Sequence, residues 1–341
     1  MRIALDVMGG DHAPQVTIEG AVMASKAYPE IEIILIGPED VIERELAKHK
    51  DHNGFEVVHA REVIEMTDHP AQAVKTKKES SMVVGMQLLK KKEIDGFFSA
   101  GNTGGMLAAG ILYLGRIRGV KRPALSALFP TMRGSTFLLD IGANADVKPD
   151  FLQQFALMGS LYAERVLKRP NPTVAIMSNG EEEGKGNEMV LEAYQLIKQL
   201  PINFMGNAEG RDLGLGNFDV IVTDGFTGNI VIKTAEGLAT MTKALLKDAF
   251  KGDPLSMLAG ALFMPLGFPR VKKATSADEI GGAPLLGLNG VVLVGHGSSS
   301  AYAIQNGIRA ARDAVQSNIV AAITEGMSQV KVTDKEGAEV G

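Results

Sequence analysis

The chain has 341 residues, 45% of them hydrophobic and 22% charged, enough apolar material to bury a large core as a single α/β domain spanning residues 1–341. It contains no cysteine, which excludes a disulfide framework, a thiolate metal site and an acyl-cysteine intermediate. A formal net charge of −5 gives no overall attraction to nucleic acid, so an anionic partner has to meet a local basic patch. No run approaches the roughly 20 apolar residues of a membrane span, and the apolar start is too short for a signal peptide. The expected location is cytoplasmic, with attachment to a membrane surface still open.

In chain order, Ile3 to Leu5 reads as a strand running into Asp6-Val-Met-Gly-Gly-Asp-His-Ala-Pro14, followed by a helix from about Gln15 to Tyr28. A second strand, Ile31 to Ile36, ends at Gly37-Pro38 before a helix through Lys48. Val57 and Val58 mark a short strand, and Ser80 to Lys91 a helix. The alternation predicts a doubly wound, mainly parallel sheet with helices on both faces.

Five of the strand-like runs end in loops rich in Gly, Asn, Ser and Thr. Phe97-Phe98 leads into Ser99 to Gly105, Phe137 to Leu139 into Asp140 to Asp150, and Val174 to Met177 into Ser178 to Asn187. Val220 to Val222 leads into Thr223 to Asn229, and Val291 to Val294 into Gly295 to Ser300. Ligands of open α/β sheets bind outside the carboxyl ends of strands, so the five loops are expected to line one site.

The loop from Ser178 to Asn187 is the sharpest candidate. Glycines 180, 184 and 186 let backbone approach an anion, the helix from Glu188 offers unpaired amides and a positive dipole end, and Lys185 adds a full charge. A surface loop with a solvated acidic run, Glu181 to Glu183, is the plainer alternative. It is not a nucleotide P-loop, because only three residues separate Gly180 from Gly184 and Gly186 follows Lys185.

Two further regions differ in composition. Gly115 to Arg122 gathers Arg116, Arg118, Lys121 and Arg122, either as a docking patch or as a solvated loop. Residues 234–275 read as a helical protrusion whose tip carries Leu255, Leu258, Leu262 and Phe263 between basic flanks, Lys247 and Lys251 before and Arg270, Lys272 and Lys273 after. Such a tip fits a membrane interface. A buried dimer contact fits it as well. Residues 327–341 read as a flexible polar tail. The six histidines have no paired metal-ligand spacing, no GxGxxG follows a strand and no GxSxG elbow is present, so neither a metal nor another cofactor is expected.

The loops and their order resemble the bacterial phosphate acyltransferases of phospholipid synthesis along nearly the whole chain. The likeness rests on DVMGGDHAP (Asp6 to Pro14), SAGNTGG (Ser99 to Gly105), RPAL (Arg122 to Leu125), LLDIGAN (Leu138 to Asn144) and NGEEEGKGN (Asn179 to Asn187). It continues in NFMGNAEGRD (Asn203 to Asp212), DGFTGNIVIK (Asp224 to Lys233), GGAPLLGLNG (Gly281 to Gly290) and HGSSS (His296 to Ser300). The resemblance implies a fold shared with phosphotransacetylases and the isopropylmalate dehydrogenase group, and a homodimer. It also implies peripheral membrane association and transfer of a long acyl chain from acyl carrier protein to phosphate. The acyl phosphate would pass to a glycerol-3-phosphate acyltransferase.

That reaction needs a phosphate held against a thioester carbonyl and a site for the oxyanion. The expected phosphate ligands are Asn102, Thr103 and Gly104, with Asn144, Asn179 and His12 as further substrate-binding groups. Lys185 is expected to bind phosphate or polarise the carbonyl, Asp224 to orient Lys185 or take a proton, and Asn229 to bond phosphate or oxyanion. His296, like His12, is an alternative proton carrier or a structural loop residue. A phosphotransacetylase using a coenzyme A thioester is the competing reading.

Overall fold

The computed structural model describes residues 1–49, 54–250, 254–266 and 277–329. The strands are β1 (Arg2–Asp6), β2 (Glu32–Gly37), β3 (Glu56–His59), β4 (Gly96–Ser99), β5 (Ala124–Thr131) and β6 (Gly134–Leu139), then β7 (Thr173–Met177), β8 (Asn203–Ala208), β9 (Val220–Val222), β10 (Ala283–Leu286) and β11 (Val291–Val294). They form one sheet in the order β3-β2-β1-β4-β11-β10-β5-β6-β9-β7-β8.

Period-two burial makes the sheet two-sided. Ile3, Leu5, Phe98, Phe137, Leu139, Val174, Ile176, Val220 and Val222 face one apolar core. That core is closed by α1 (Gln15–Ala27), α2 (Glu39–Leu46), α6 (Pro149–Arg165), α7 (Glu188–Ile197), α11 (Ala301–Gln316) and α12 (Ile319–Gln329).

On the other face two separate clusters form. Ala4, Ile34, Phe97, Leu125 and Val292 pack under α3 (Pro70–Thr76), α4 (Ser81–Lys90) and α5 (Thr103–Ala109), which continues as a π-helical turn, Gly110–Leu114. Leu138, Ala175, Met177 and Ile221 pack with α8 (Gly210–Leu215) and the base of α9 (Gly225–Ala249). Ile141, just beyond β6, packs against both clusters.

The mainly parallel sheet expected from the alternation is a mixed one. β5 and β10 carry no sequence signal as strong as the parallel runs, yet they sit in the middle, and the pairings β10–β11, β10–β5 and β5–β6 are all antiparallel. Three reversals leave β6, β9 and β7 running opposite to β1, β4 and β11. The five loops therefore do not share one end of the sheet: they form two sets. In a flat sheet these would lie at opposite edges. Sheet twist of roughly 20–25° per strand accumulates to roughly 100–125° over the five steps from β4 to β9, which brings the two directions much closer than half a turn.

The buried residues of α9 are Gly225 and Gly228, Val231 and Ile232 are half-buried against the sheet, and from residue 236 to 249 the helix is exposed. It begins earlier than the expected Thr234. α10 (Pro254–Leu266) follows, with Leu255 and Leu258 exposed at 76% and 59%. The side chains of Leu262 and Phe263, together with Lys251, Phe268, Arg270, Lys272, Lys273 and the tail from residue 330, lie outside the described residues.

Candidate active site

The first loop set stands at the ends of β1, β4 and β11 and is built on a buried carboxylate. Asp6, 1% exposed, accepts from the Met8 amide at 3.1 Å and from Ser99 Oγ at 2.7 Å, and Ser99 Oγ in turn accepts from the Gly101 amide. Burial pushes the Asp6 carboxyl up, while hydrogen bonds from the Ser81 and Ser99 hydroxyls and the Met8 amide pull it back. Gly9 leaves no alternative residue here. A Cβ there would sit 2.8–2.9 Å from Gly101 N, Ser99 Oγ and Asp6 Oδ2.

Asn102 caps α5, its Oδ1 accepting from the Gly105 amide at 2.9 Å. Its Nδ2 donates to the carbonyls of Glu65, Met66 and Asp68 at 3.1–3.4 Å. The side chain is thus spent on clasping residues 65–68 over the helix start, and Pro70 lies where a Cβ on Gly104 would come within 2.6 Å. The Lys77–Asp68 ion pair steadies the same segment and draws the Asp68 carboxyl below its usual range. Thr103 is exposed and open to a ligand.

Near by, a small cleft with room for little more than a water is lined by Gly9, Gly10, His12, Ala100, Gly297 and Ser299, with Ala13, Val16, Thr17 and Ile304 closing it between α1 and α11. The Asp11 amide donates to Gly297 O at 2.8 Å, and its carboxylate lies close over Gly297, next to His296. Asp11 was not among the residues singled out from the sequence, although it belongs to the DVMGGDHAP stretch. Its signal was a carboxylate immediately after a Gly-Gly turn.

The second set, at the ends of β6, β9 and β7, has its own buried carboxylate. Asp140 is fully buried and accepts from the amides of Leu125, Gly142, Ala143 and Asn144 and from Asn144 Nδ2, at 2.8–3.1 Å. Burial raises its carboxyl and these donors oppose the rise. Asn144 gives its remaining amide capacity to Pro123 O at 2.7 Å, so its side chain is part of the frame. Asp224 is the N-cap of α9, accepting from Thr227 N and Thr227 Oγ1, both at 2.7 Å, and bonds neither Lys185 nor another acid. Asn229 is exposed, with Nδ2 3.4 Å from Ile141 O.

The Lys185 loop is held from beneath by Asn207, whose Nδ2 donates to Glu182 O at 2.7 Å and Lys185 O at 3.4 Å. The lysine stem folds over Gly180, where a Cβ would meet its Cγ at 2.7 Å. Of the neighbouring acids, Glu181 pairs with Arg211 and Glu183 with Lys198. Lys185 forms no ion pair among the described residues, and Asn179 beside it is exposed. Glu181, Glu209 and Asp212 lie near one another, but the Arg211 guanidinium already bridges the two glutamates.

Thr103, His12 and His296 of the first set, and Asn179, Lys185 and Asn229 of the second, remain available to substrate. Asn102, Asn144 and Asp224 hold the loops in shape. In the basic segment, Lys121 pairs with Asp150 and Arg116 donates to Lys121 O, while Arg118 and Arg122 are exposed and without an ion pair among the described residues.

These are the features of a phosphotransacetylase-type α/β fold. A phosphotransacetylase from Streptococcus pyogenes superposes with a TM-score of 0.62 at 16% identity, covering 93% of this chain and 94% of that one. The EutD phosphotransacetylase from Staphylococcus aureus gives 0.57 at 16%, covering 92% and 94%. At such identities the likeness concerns the fold alone.

A family model described as "Fatty acid synthesis protein" matches residues 1–322. The phosphate acyltransferase of Dictyoglomus turgidum is 48% identical over 338 residues, covering 98% of this chain and 99% of that protein. That of Alkaliphilus oremlandii is 48% identical over 331 residues, covering 97% and 98%. The chain belongs to the phosphate acyltransferase family, and it is an acyltransferase of lipid synthesis.

Proposed function

We propose that the protein transfers a long-chain acyl group from acyl-[acyl carrier protein] to inorganic phosphate, by direct attack of bound phosphate on the thioester. A phosphate oxygen forms the bond to the carbonyl carbon, a tetrahedral oxyanion follows, and the C–S bond breaks to release the pantetheine thiolate. Positioning can supply roughly 7–11 kcal/mol of such a barrier, and electrostatic stabilisation of the oxyanion supplies more. The observation that carries the reading is Lys185: on a glycine loop of this family, it forms no ion pair among the described residues, while Glu181 and Glu183 are drawn off to Arg211 and Lys198 and Glu182 lies beside the lysine stem over Gly180. Phosphate is taken by the Thr103–Gly104 backbone and Thr103 hydroxyl, with His12 near by. Lys185, Asn179 and Asn229 serve the thioester side.

Arg118 and Arg122, uncommitted and exposed, follow a π-helical turn that presents Ile111 and Leu112 to solvent. Basic charge around an apolar centre suits an acidic carrier protein, with a rate that falls as salt rises. The proposal includes a homodimer, supported by the exposed apolar residues Phe226, Ile230, Leu238, Met241 and Leu245 on α9. It also includes peripheral association with the inner face of the cell membrane through the α10 tip, where acyl phosphate is handed to a glycerol-3-phosphate acyltransferase. No helix among the described residues is long and apolar enough to cross a membrane. Leu258→Glu should release the protein from anionic vesicles and leave turnover of soluble substrate intact. Unchanged vesicle binding would return the tip to the dimer contact.

The test of the reaction is consumption of palmitoyl-[acyl carrier protein] with and without phosphate, trapping acyl phosphate with hydroxylamine, in wild type and Lys185→Met. Phosphate-dependent product that falls at least about hundredfold in the variant is the expected result. Thioester loss without phosphate dependence points to a hydrolase, and turnover of acyl-coenzyme A alone points to a phosphotransacetylase.

A further inference from the structure

The turn after β11 fixes the chemistry of His296. Its Nδ1 lies 2.8 Å from Ser298 Oγ, and the Ser298 backbone amide donates to the same nitrogen at 3.3 Å. A backbone N–H can only donate, so Nδ1 has to present its lone pair. In a neutral imidazole the proton then resides on Nε2. The turn is held in place from several sides: Ser299 donates through both its amide and its hydroxyl to His296 O, Gly297 O accepts from Asp11 N, and Ser300 caps α11 while bonding Asp278. Rotating the ring to free Nδ1 would forfeit the Ser298 bonds. Moving the proton to Nδ1 would set one donor against another. Nε2 makes no hydrogen bond among the described residues, and the side chain is exposed beside the cleft that Gly9, His12 and Gly297 line.

We infer that His296 acts in this reaction as a neutral hydrogen-bond donor through Nε2–H to an anionic oxygen, and not as the proton acceptor its residue type first suggests. With Nδ1 directed into its own turn, the nitrogen that faces outward is Nε2, and it presents an N–H rather than a lone pair. The ring thus has one outward N–H at fixed orientation, which is what a phosphate oxygen or a developing oxyanion requires. The inference rests on the acyl-to-phosphate reading for the identity of that oxygen. The tautomer itself does not depend on it.

Two measurements on the full chain test the assignment. Two-bond 1H–15N correlation spectra of protein labelled at histidine should show His296 with an unprotonated Nδ1 and a protonated Nε2 at the assay pH. In the phosphate-dependent assay, His296→Gln, which can put an amide N–H near the Nε2 position, should stay within about tenfold of wild type. His296→Asn and His296→Ala, which cannot, should fall about hundredfold, the size of loss seen when one oxyanion donor is removed. A loss confined to the KM for phosphate assigns the N–H to phosphate, and a loss in kcat assigns it to the oxyanion; either supports the donor role.

An Nδ1–H tautomer or an imidazolium at the assay pH overturns the inference. So does His296→Gln being as inactive as His296→Ala with an unchanged thermal midpoint, and if the Gln variant does not fold, the spectrum of the wild type decides. Absence of acyl phosphate from the wild type, with the Nε2–H tautomer present, would remove the proposed reaction and leave the ring assignment standing.

Discussion

Each half of the sheet ends in a buried aspartate that organises its loops, and the two are satisfied by different chemistry. Asp6 is held by the Ser99 hydroxyl and the Met8 amide, with the Ser81 hydroxyl also drawing its carboxyl down. Asp140 is held by N–H groups only, four from backbone and one from Asn144. A hydroxyl can exchange donor and acceptor roles, whereas an N–H cannot. The first set is therefore a frame that tolerates a change of protonation or of acceptor. The second is locked, which suits a loop against which α9 is pressed so closely that Gly228 has Asp140 O within 1.9 Å of where a Cβ would be.

The sharpest way to break this contrast is Asp140→Asn. In either orientation its NH2 faces at least two of the five N–H donors, and each buried donor left without an acceptor costs roughly 1–3 kcal/mol. Urea unfolding should show a loss on the order of 3–5 kcal/mol. Gly228→Ala comes next. The added methyl has no space against a backbone carbonyl, and a loss of about 1–3 kcal/mol is expected with disturbed packing at the start of α9. Asp6→Asn should cost less than about 1.5 kcal/mol, because Ser99 and Ser81 can turn their hydroxyls to accept from the new amide. Equal losses for Asp6→Asn and Asp140→Asn would end the distinction between the two frames.

The smallest effect is a pH dependence. Burial holds the folded Asp6 carboxyl above its ordinary value of 3.8, so folding favours the protonated form. That contribution is complete below the unfolded value and is lost as pH rises through the folded one. Since the Asn side chain does not titrate, the stability of wild type relative to Asp6→Asn should decline as pH is raised from about 4. A difference independent of pH would mean that the carboxyl is not displaced.

Much of the architecture was legible before any coordinates. Runs such as Ile3 to Leu5, Phe97-Phe98 and Val220 to Val222 are short, apolar and followed by glycine-rich turns, the pattern of buried parallel strands. The middle of the sheet was not. β5 is interrupted by Ser126 and Pro130, and β10 opens on Ala283-Pro284, so neither has the continuous apolar run that announces a strand, and their antiparallel pairing depends on partners far away in sequence. Without them, all five loops read as lying at one end of the sheet.

The site divides in the same way. Lys185 and His296 stand out by residue type, but whether a polar side chain is free or committed is set by its neighbours in space. The sequence points to Asn102 and Asn144 as substrate-binding positions, and their side-chain amides bond the carbonyls of residues 65–68 and of Pro123. Asp224 is expected from the sequence to orient Lys185 or take a proton, and its carboxylate caps α9.

The sequence by itself determined the alternation of strands and helices, the glycine loops at strand ends, the absence of cysteine chemistry and the family resemblance. All of these are properties of residue order and short-range periodicity. Only the tertiary structure decided how the sheet reverses at its centre, which polar groups are spent on holding loops, that Glu181 and Glu183 beside Lys185 are paired elsewhere, and which ring nitrogen of His296 faces its own turn. Each of these depends on contacts between residues distant in the chain or on the geometry of a folded turn, and composition and spacing carry no record of either.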